Sequence, residues 1–382
     1  MGTGEKHRSA VTTATARPRP GGADRVFLGL LVFVPAAAVA AWLHAPTAVF
    51  VLAALALVPL ARWIGTATTA VAGHLGPGLG GLLNATFGNA AELIVGITAL
   101  RAGQTAVVKA SITGSILGNL LFVFGATVLA AGLKEARPRF NATAALSSSA
   151  LMYVAVVGLV VPDLFHATLG APVTHLMRPL SLWVSLILVV LYALSLLFSL
   201  RTHQELFDGG GGGDALEAEL ESEETAATPR WSVTPGLTVL LLSTAATVGV
   251  SELLVGALDS VIHGWGLTPT FVGVIIIAVV GNAAEHSTAV LMALERQLEV
   301  GLAICFESSK QIALLVAPLL VFLSGPLGHP ITLEFGHLEV LSLALAVGAT
   351  ALVTLDGETH WLEGAMLMGV YAILALVFFF VP

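Results

Sequence analysis

Apolar stretches of about 17–25 residues, each long enough to cross a bilayer as a helix, follow one another along nearly the whole chain. An ordinary soluble domain carries about 25% charged residues; here 10% of the 382 residues are charged and 56% are hydrophobic. The pattern dictates an all-α integral membrane protein. Eleven transmembrane helices are expected, at about 26–43, 46–72, 78–101, 105–132, 142–161, 178–200, 233–258, 269–294, 298–323, 337–354 and 361–381. The first has a long polar flank before it and further spans directly behind it, so it reads as a helix and not a signal peptide.

The positive charges test that count. With the N-terminus in the cytoplasm, inside segments hold Lys6, Arg8, Arg17, Arg19, Arg25, Arg62, Lys134, Arg137, Arg139, Arg201, Arg230 and Arg296, outside segments hold Arg101 and Arg178, and Lys109 and Lys310 fall within spans. This asymmetry satisfies the positive-inside rule, and moving the count by one helix would scramble it. The organisation that follows is a disordered polar tail (1–24), a first helix (25–45), a five-helix set (46–200), an acidic cytosolic linker (201–232) and a second five-helix set (233–382). The linker holds Gly209 to Gly213 and then Asp214 to Glu224, a solvated tether or a surface that attracts cations. The absence of a basic patch argues against nucleic acid as a partner. The one cysteine, Cys305, lies in an apolar run and rules out an intrachain disulfide framework. The Ala/Gly/Val-rich composition and short loops point to a prokaryotic plasma membrane, and a homo-oligomer is compatible with the sequence.

One motif occurs twice. Phe87-Gly-Asn-Ala-Ala-Glu-Leu93 and Val280-Gly-Asn-Ala-Ala-Glu-His286 are offset by 193 residues (281 − 88). Each lies in the second helix of a five-helix set, and five is odd, so the two sets are expected to enter the membrane from opposite sides. Such inverted repeats build the midplane sites of many secondary transporters.

A carboxylate at the bilayer centre costs roughly 2.5–3.5 kcal/mol on insertion scales, so it faces protein or water and has a partner. Asn89 and Asn282 precede Glu92 and Glu285 by three residues, which on a helix sets amide and carboxylate on one face. All-oxygen ligation suits a hard cation such as Ca²⁺. The motif glycines allow close helix approach or a break that frees carbonyls. With a divalent ion bound, two Glu carboxylates neutralise it; with the ion gone, bare carboxylates repel and protonation neutralises the empty site. Competition between one divalent cation and up to two protons at Glu92 and Glu285 is therefore expected. The same offset sets Ser115 opposite Ser308 and Gly118 opposite Gln311; Ser115, Ser308 and Gln311 are second ligands or interhelical hydrogen-bond glue.

These residues resemble the calcium/proton exchanger family of the cation/calcium exchanger superfamily. The similarity runs through Gly80 to Glu92, Val108 to Asn119, Gly281 to His286, Gln311 to Pro318 and Asp356 to Gly364, and includes the acidic linker. The resemblance implies eleven helices, Ca²⁺ movement driven by a proton gradient, and ligands at Asn89, Glu92, Asn282 and Glu285. The transported ions are then Ca²⁺ and H⁺, with no bound cofactor. Three departures stand out. Thr69 occupies a position that is acidic in many relatives. Its counterpart in the second half, Glu252, is acidic and a candidate for proton coupling. Glu307 and Lys310 replace uncharged residues; they either form an i, i+3 pair that cancels charge, or Glu307 is an additional ligand one turn from Gln311.

Rival readings are exchange of Na⁺ or Mn²⁺ on the same scaffold, a cation channel, or an intramembrane hydrolase. No filter-like run of carbonyls supports a channel, and no His-Glu-x-x-His motif or nucleophile elbow supports an enzyme. His286 is either a packed polar residue or a proton relay, and Lys109 is expected to snorkel to the interface.

Overall fold

The computed structural model describes residues 22–75, 80, 83–84, 86–203 and 231–381. The expected tail up to 21 and most of the acidic linker, 204–230, lie outside the described residues. The chain is all-helical there: α1 (Arg25–Trp42), α2 (Pro46–Ala72), α3 (Ala90–Arg101), α4 (Thr105–Gly132), α5 (Ala142–Leu169), α6 (Ala171–Thr202), α7 (Val233–Trp265), α8 (Pro269–Gly281), α9 (Ala283–Leu294), α10 (Leu298–Ser324), α11 (His337–Val353) and α12 (Trp361–Phe380). Among the described residues eight of these are long and apolar enough to cross a membrane, and α8 with α9, bent by 59°, makes a ninth.

Local chemistry sets the boundaries. Thr268 caps α8, its Oγ1 accepting from Phe271 N–H at 3.1 Å, and Pro269 follows at the first helical position, where a missing N–H costs nothing. Asn141 caps α5, its Oδ1 accepting from Ala144 N–H at 3.1 Å. Helix α7 ends at Gly266, whose φ of 66° suits glycine. Helices α5 and α7 run to Leu169 and Trp265, past the 161 and 258 expected from hydropathy.

Side-chain contacts sort the connections onto two faces. On one, Gln104 Nε2 donates to Asp259 Oδ1 at 2.9 Å, Lys109 Nζ donates to the Glu334 carbonyl at 2.6 Å, and Leu333 N–H donates to Ser181 Oγ at 2.9 Å. These gather the α3–α4, α7–α8 and α10–α11 connections with the start of α6. On the other, Lys134 Nζ donates to the Leu294 carbonyl, Arg139 pairs with Glu358 at 2.6 Å, and Trp63 stacks on Trp231 at 5.8 Å. These gather the α4–α5, α9–α10 and α11–α12 connections with the end of α2. Half-helix α3 therefore runs toward the first face and α9 toward the second. Lys109, half-buried, ends on a carbonyl of the α10–α11 connection at the first face.

Helices α4 and α10 form the centre, each with 83% of its apolar window buried, against 11% for α1 and 22% for α6 and α12. Close approach at the centre needs small residues. A Cβ on Gly114 of α4 would come within 2.0 Å of the Val274 carbonyl oxygen of α8, and one on Gly273 within 2.5 Å of Ala110 Cβ. The neighbour at Gly114 is backbone and cannot rotate away. We expect Gly114→Val to lower the apparent Tm in detergent by an amount matching about 1–3 kcal/mol or more of overpacking. Gly249→Ala, made where nothing lies within 4 Å, should leave Tm unchanged. Equal Tm values for the two variants would contradict the close crossing.

Candidate ion site

The duplicated motif is a helix break. Asn89 (φ −102°, ψ 27°) and Asn282 (φ −94°, ψ 6°) share the bridge conformation, and each precedes a 12-residue half-helix, α3 or α9. Gly88 and Asn89 form the turn ahead of α3. Of the two roles expected of the motif glycines, close approach or a break, the break is the one seen, with Asn and Glu on either side of its start. Each Asn stands outside its half-helix and leaves the N-terminal N–H groups uncapped, while Glu92 and Glu285 fall in the first turn. An N-terminal turn carries partial positive charge and favours a carboxylate there.

The Asn amides reach across to the central helices. Asn282 Nδ2 donates to Ser115 Oγ of α4 and to the Ala278 carbonyl, both at 2.9 Å. Ser308 Oγ of α10 lies 3.5 Å from Asn282 Oδ1. Asn89 Nδ2 donates to Gln311 Oε1 of α10. Glu92 lies against the second break, where a Cβ on Gly281 would sit 3.7 Å from its Oε1, and Glu285 is the charge that acts on it. Asn89 Oδ1 and Glu92 Oε2 are buried without a hydrogen-bond partner. Asn89, Glu92, Asn282, Ser115, Ser308 and Gln311 are therefore gathered around the two breaks, and Glu285 stands in the first turn after the second.

A cleft of about 540 Å³ leads to Glu92, lined by Phe50, Leu57, Ser111, Ser115, Leu254 and Gly281 among others. Its walls come from the halves of α2, α4, α7 and α10 nearest the face that carries the α3–α4 connection and from the inner half of α8; Glu285 does not line it. The α4 and α10 helices widen at matching places, into π-turns at Gly118–Val123 and Ile312–Val316. Such turns are frequent at functional sites, where they re-aim side chains. Among the described residues no three His, Cys, Asp or Glu side chains converge on one point, so any cation here takes most of its ligands from neutral oxygens and water.

Two candidates are not brought in. Glu307 points into a separate space of about 410 Å³ between α5 and α10, with Ser148 and Glu299, and its carboxylate pairs with Lys310 Nζ. Glu252 is exposed on α7, while its neighbours Ser251 and Leu254 are buried. Asn119 escaped the sequence reading as a site residue, and His286, read there as a packed polar residue or a proton relay, is its partner. Asn119 of α4, 1% exposed, donates through Nδ2 to Ser308 Oγ at 2.8 Å, and His286 Nε2 lies 3.0 Å from Asn119 Oδ1. A polar residue in the middle of an apolar span was the available signal.

Comparison with known proteins bears on the same segments. The profile of the family described as sodium/calcium exchanger protein matches residues 45–201 and 235–380. A Ca(2+)/H(+) antiporter of Synechocystis sp. is 42% identical over 369 residues, covering 94% of this chain and 98% of that protein. The Ca(2+)/H(+) antiporter ChaA of Bacillus subtilis is 38% identical over 359 residues, covering 93% and 99%. The solved structure of native YfkE superposes with a TM-score of 0.77 at 34% identity, covering 93% of this chain and all of that one. The H+/Ca2+ exchanger CAX shares the fold, with a TM-score of 0.68 at 14% identity over 94% and 92%.

The Glu307–Lys310 pair makes a prediction of its own. Lys310→Ile alone strands a carboxylate at a site where the side chains are 32% (Glu307) and 11% (Lys310) exposed. We expect it to cost about 1–3 kcal/mol, less than the 3–5 of a fully buried pair. Glu307→Gly with Lys310→Ile should recover most of that stability and keep Ca²⁺ affinity within about threefold, a non-additivity that a double-mutant cycle reads directly. A large loss of affinity in the double variant would make Glu307 a ligand.

Proposed function

Because the chain belongs to the sodium/calcium exchanger family, we propose that it is a secondary antiporter that exchanges Ca²⁺ for H⁺ across a membrane. The observation that carries this reading is that Glu92 and Glu285 each fall in the first turn after one of two alike helix breaks, whose half-helices run toward opposite faces. The full architecture in this reading is one N-terminal helix and two inverted five-helix repeats, α2–α6 and α7–α12 with α8 and α9 as one broken span, eleven spans in all. The matched Asn conformations, the matched π-turns and the opposed directions of α3 and α9 support it.

Mechanistically, Glu92 and Glu285 supply the charge that neutralises Ca²⁺. Asn89, Asn282, Ser115, Ser308 and Gln311 supply neutral oxygens, and water completes the shell of a hard, flexible cation. The hydrogen bonds among those amides and hydroxyls hold the oxygens near one another while the ion is away. Departure of Ca²⁺ leaves two like charges in a poor dielectric, and protons arriving at the carboxylates discharge them. Each half of the cycle thus crosses the membrane near neutrality, and the cleft alternates between faces around a fixed site. Glu307 takes no part, since Lys310 already balances it. Glu252, on the exposed side of α7, is set apart from this route. The N-terminus is cytoplasmic in this reading, in a plasma membrane.

Everted membrane vesicles test the proposal. With an imposed proton gradient, added Ca²⁺ should dissipate it in the wild type, while Glu92→Gln and Glu285→Gln each abolish the response. A channel would conduct without coupling, and a preference for Na⁺ or Mn²⁺ in the same assay would reassign the cargo. Full proton-coupled uptake by either Gln variant would contradict the paired site. The KM for Ca²⁺ should rise as pH falls, by at most about a hundredfold per unit if two protons compete with one ion. A KM flat with pH would mean that the proton and the cation do not share these carboxylates.

A further inference from the structure

We infer that His286 and Asn119 are positioning residues that orient the neutral oxygens of the ion site through a one-directional hydrogen-bond chain. The chain begins at His286 on α9 and crosses to α4, α10 and back. His286 Nε2 meets Asn119 Oδ1 at 3.0 Å, and Asn119 Nδ2 donates to Ser308 Oγ at 2.8 Å. Ser308 Oγ donates to Asn282 Oδ1 at 3.5 Å, and Asn282 Nδ2 donates to Ser115 Oγ at 2.9 Å. Every member is buried: His286 9%, Asn119 1%, Ser308 4%, Asn282 1% and Ser115 5% exposed.

The direction of the chain follows from what each atom can do. An amide oxygen only accepts, so the contact with Asn119 Oδ1 requires the imidazole hydrogen on Nε2. That holds whether His286 is neutral or charged. With its oxygen engaged, the Asn119 amide has one orientation, nitrogen toward Ser308. Ser308 receives that N–H on its oxygen, which leaves its own hydrogen for Asn282. The Asn282 nitrogen is committed to Ser115 and Ala278, so its oxygen stays on the site side. Every hydrogen points from His286 toward the ligands.

Without the imidazole donor, the buried Asn119 oxygen would be unsatisfied. Nothing then fixes which way the amide faces, and in half of its orientations it presents its oxygen to Ser308. Ser308 gives its hydrogen to Asn119, the Asn282 oxygen loses its donor, and the ligand set loses its register. The imidazole itself is tightly held: Phe122 packs edge-on at 6.5 Å, and a Cβ on Gly118 would lie 3.9 Å from His286 Cε1. His286 follows Glu285 in the chain, so the same half-helix carries one charged ligand and the group that orders the neutral ones.

The inference rests on reading Asn282 and Ser308 as ligands of the transported ion. It is tested in proteoliposomes of the full chain by measuring Ca²⁺ KM and Vmax across a pH series. His286→Leu and Asn119→Leu should each raise KM about tenfold with Vmax within about twofold, and the double variant should be no worse than either alone. His286→Gln retains an N–H donor and should stay within about threefold of wild type, with an unchanged pH profile. Equal KM values for His286→Gln and His286→Leu would overturn the inference, as would additive losses in the double variant. A pH profile flattened by His286→Gln would make the residue a proton carrier instead. Should His286→Leu fail to fold, Asn119→Leu carries the same expectation. Asn282→Ala separates the two levels. A normal KM in Asn282→Ala contradicts the ion site; a raised KM there with a normal one in His286→Leu contradicts only the positioning role.

Discussion

Two carboxylates, Glu92 and Glu285, each in the first turn after a helix break inside an apolar bundle, form the constraint around which this protein is organised. Like charges in such a medium repel far more strongly than in water. Hydrocarbon offers no water to relieve them, so the fold must supply relief or leave it to cargo. It does both in part. Each Glu sits in the first turn of a half-helix, where the dipole favours negative charge. The ammonium of Lys310 on α10 is engaged by Glu307 in a separate space and so is not given to these carboxylates. In the proposed cycle an imported ion or proton is what makes the site neutral, which turns an electrostatic liability into obligatory exchange.

The helix breaks follow from the same need. A continuous helix would spend its carbonyls and amides on itself; a kink at Asn89 and Asn282 opens an N-terminus at mid-membrane and frees a polar side chain to reach α4 and α10. The two breaks agree in the backbone conformation of their Asn residues and differ in detail. Asn282 reaches Ser115, whereas Asn89 reaches Gln311, where the first half has Gly118. The cleft touches Glu92 and stops short of Glu285. Such inequality is what alternating access requires, since two identical halves in identical states would open to both sides or to neither.

Much of this was legible in the sequence because membrane constraints are severe. Hydropathy gave the eight long apolar helices and the broken ninth, apart from ends such as Leu169 and Trp265, where turns continue a helix beyond its apolar core. The duplicated Gly-Asn-Ala-Ala-Glu string pointed to the two helix breaks, since a charge inside an apolar span demands a reason. The kink was less legible: spacing of three fits a helix face, and only the backbone reveals that Asn stands outside the helix. Glu252 shows the limit of counting acids, because its side of α7 depends on packing against α2. The link between Asn119 and His286 was hidden for a different reason. Their importance lies in each other, and a pair 167 residues apart has no local signature.

The central claim is that one divalent ion and protons compete for Glu92 and Glu285. Calorimetry of Ca²⁺ binding to the purified protein, repeated in buffers of different ionisation enthalpy, counts the protons released per ion bound. The account predicts release of between one and two protons per Ca²⁺ below neutral pH, falling by about one in Glu92→Gln and in Glu285→Gln. Tight Ca²⁺ binding with no proton release at any pH would contradict it.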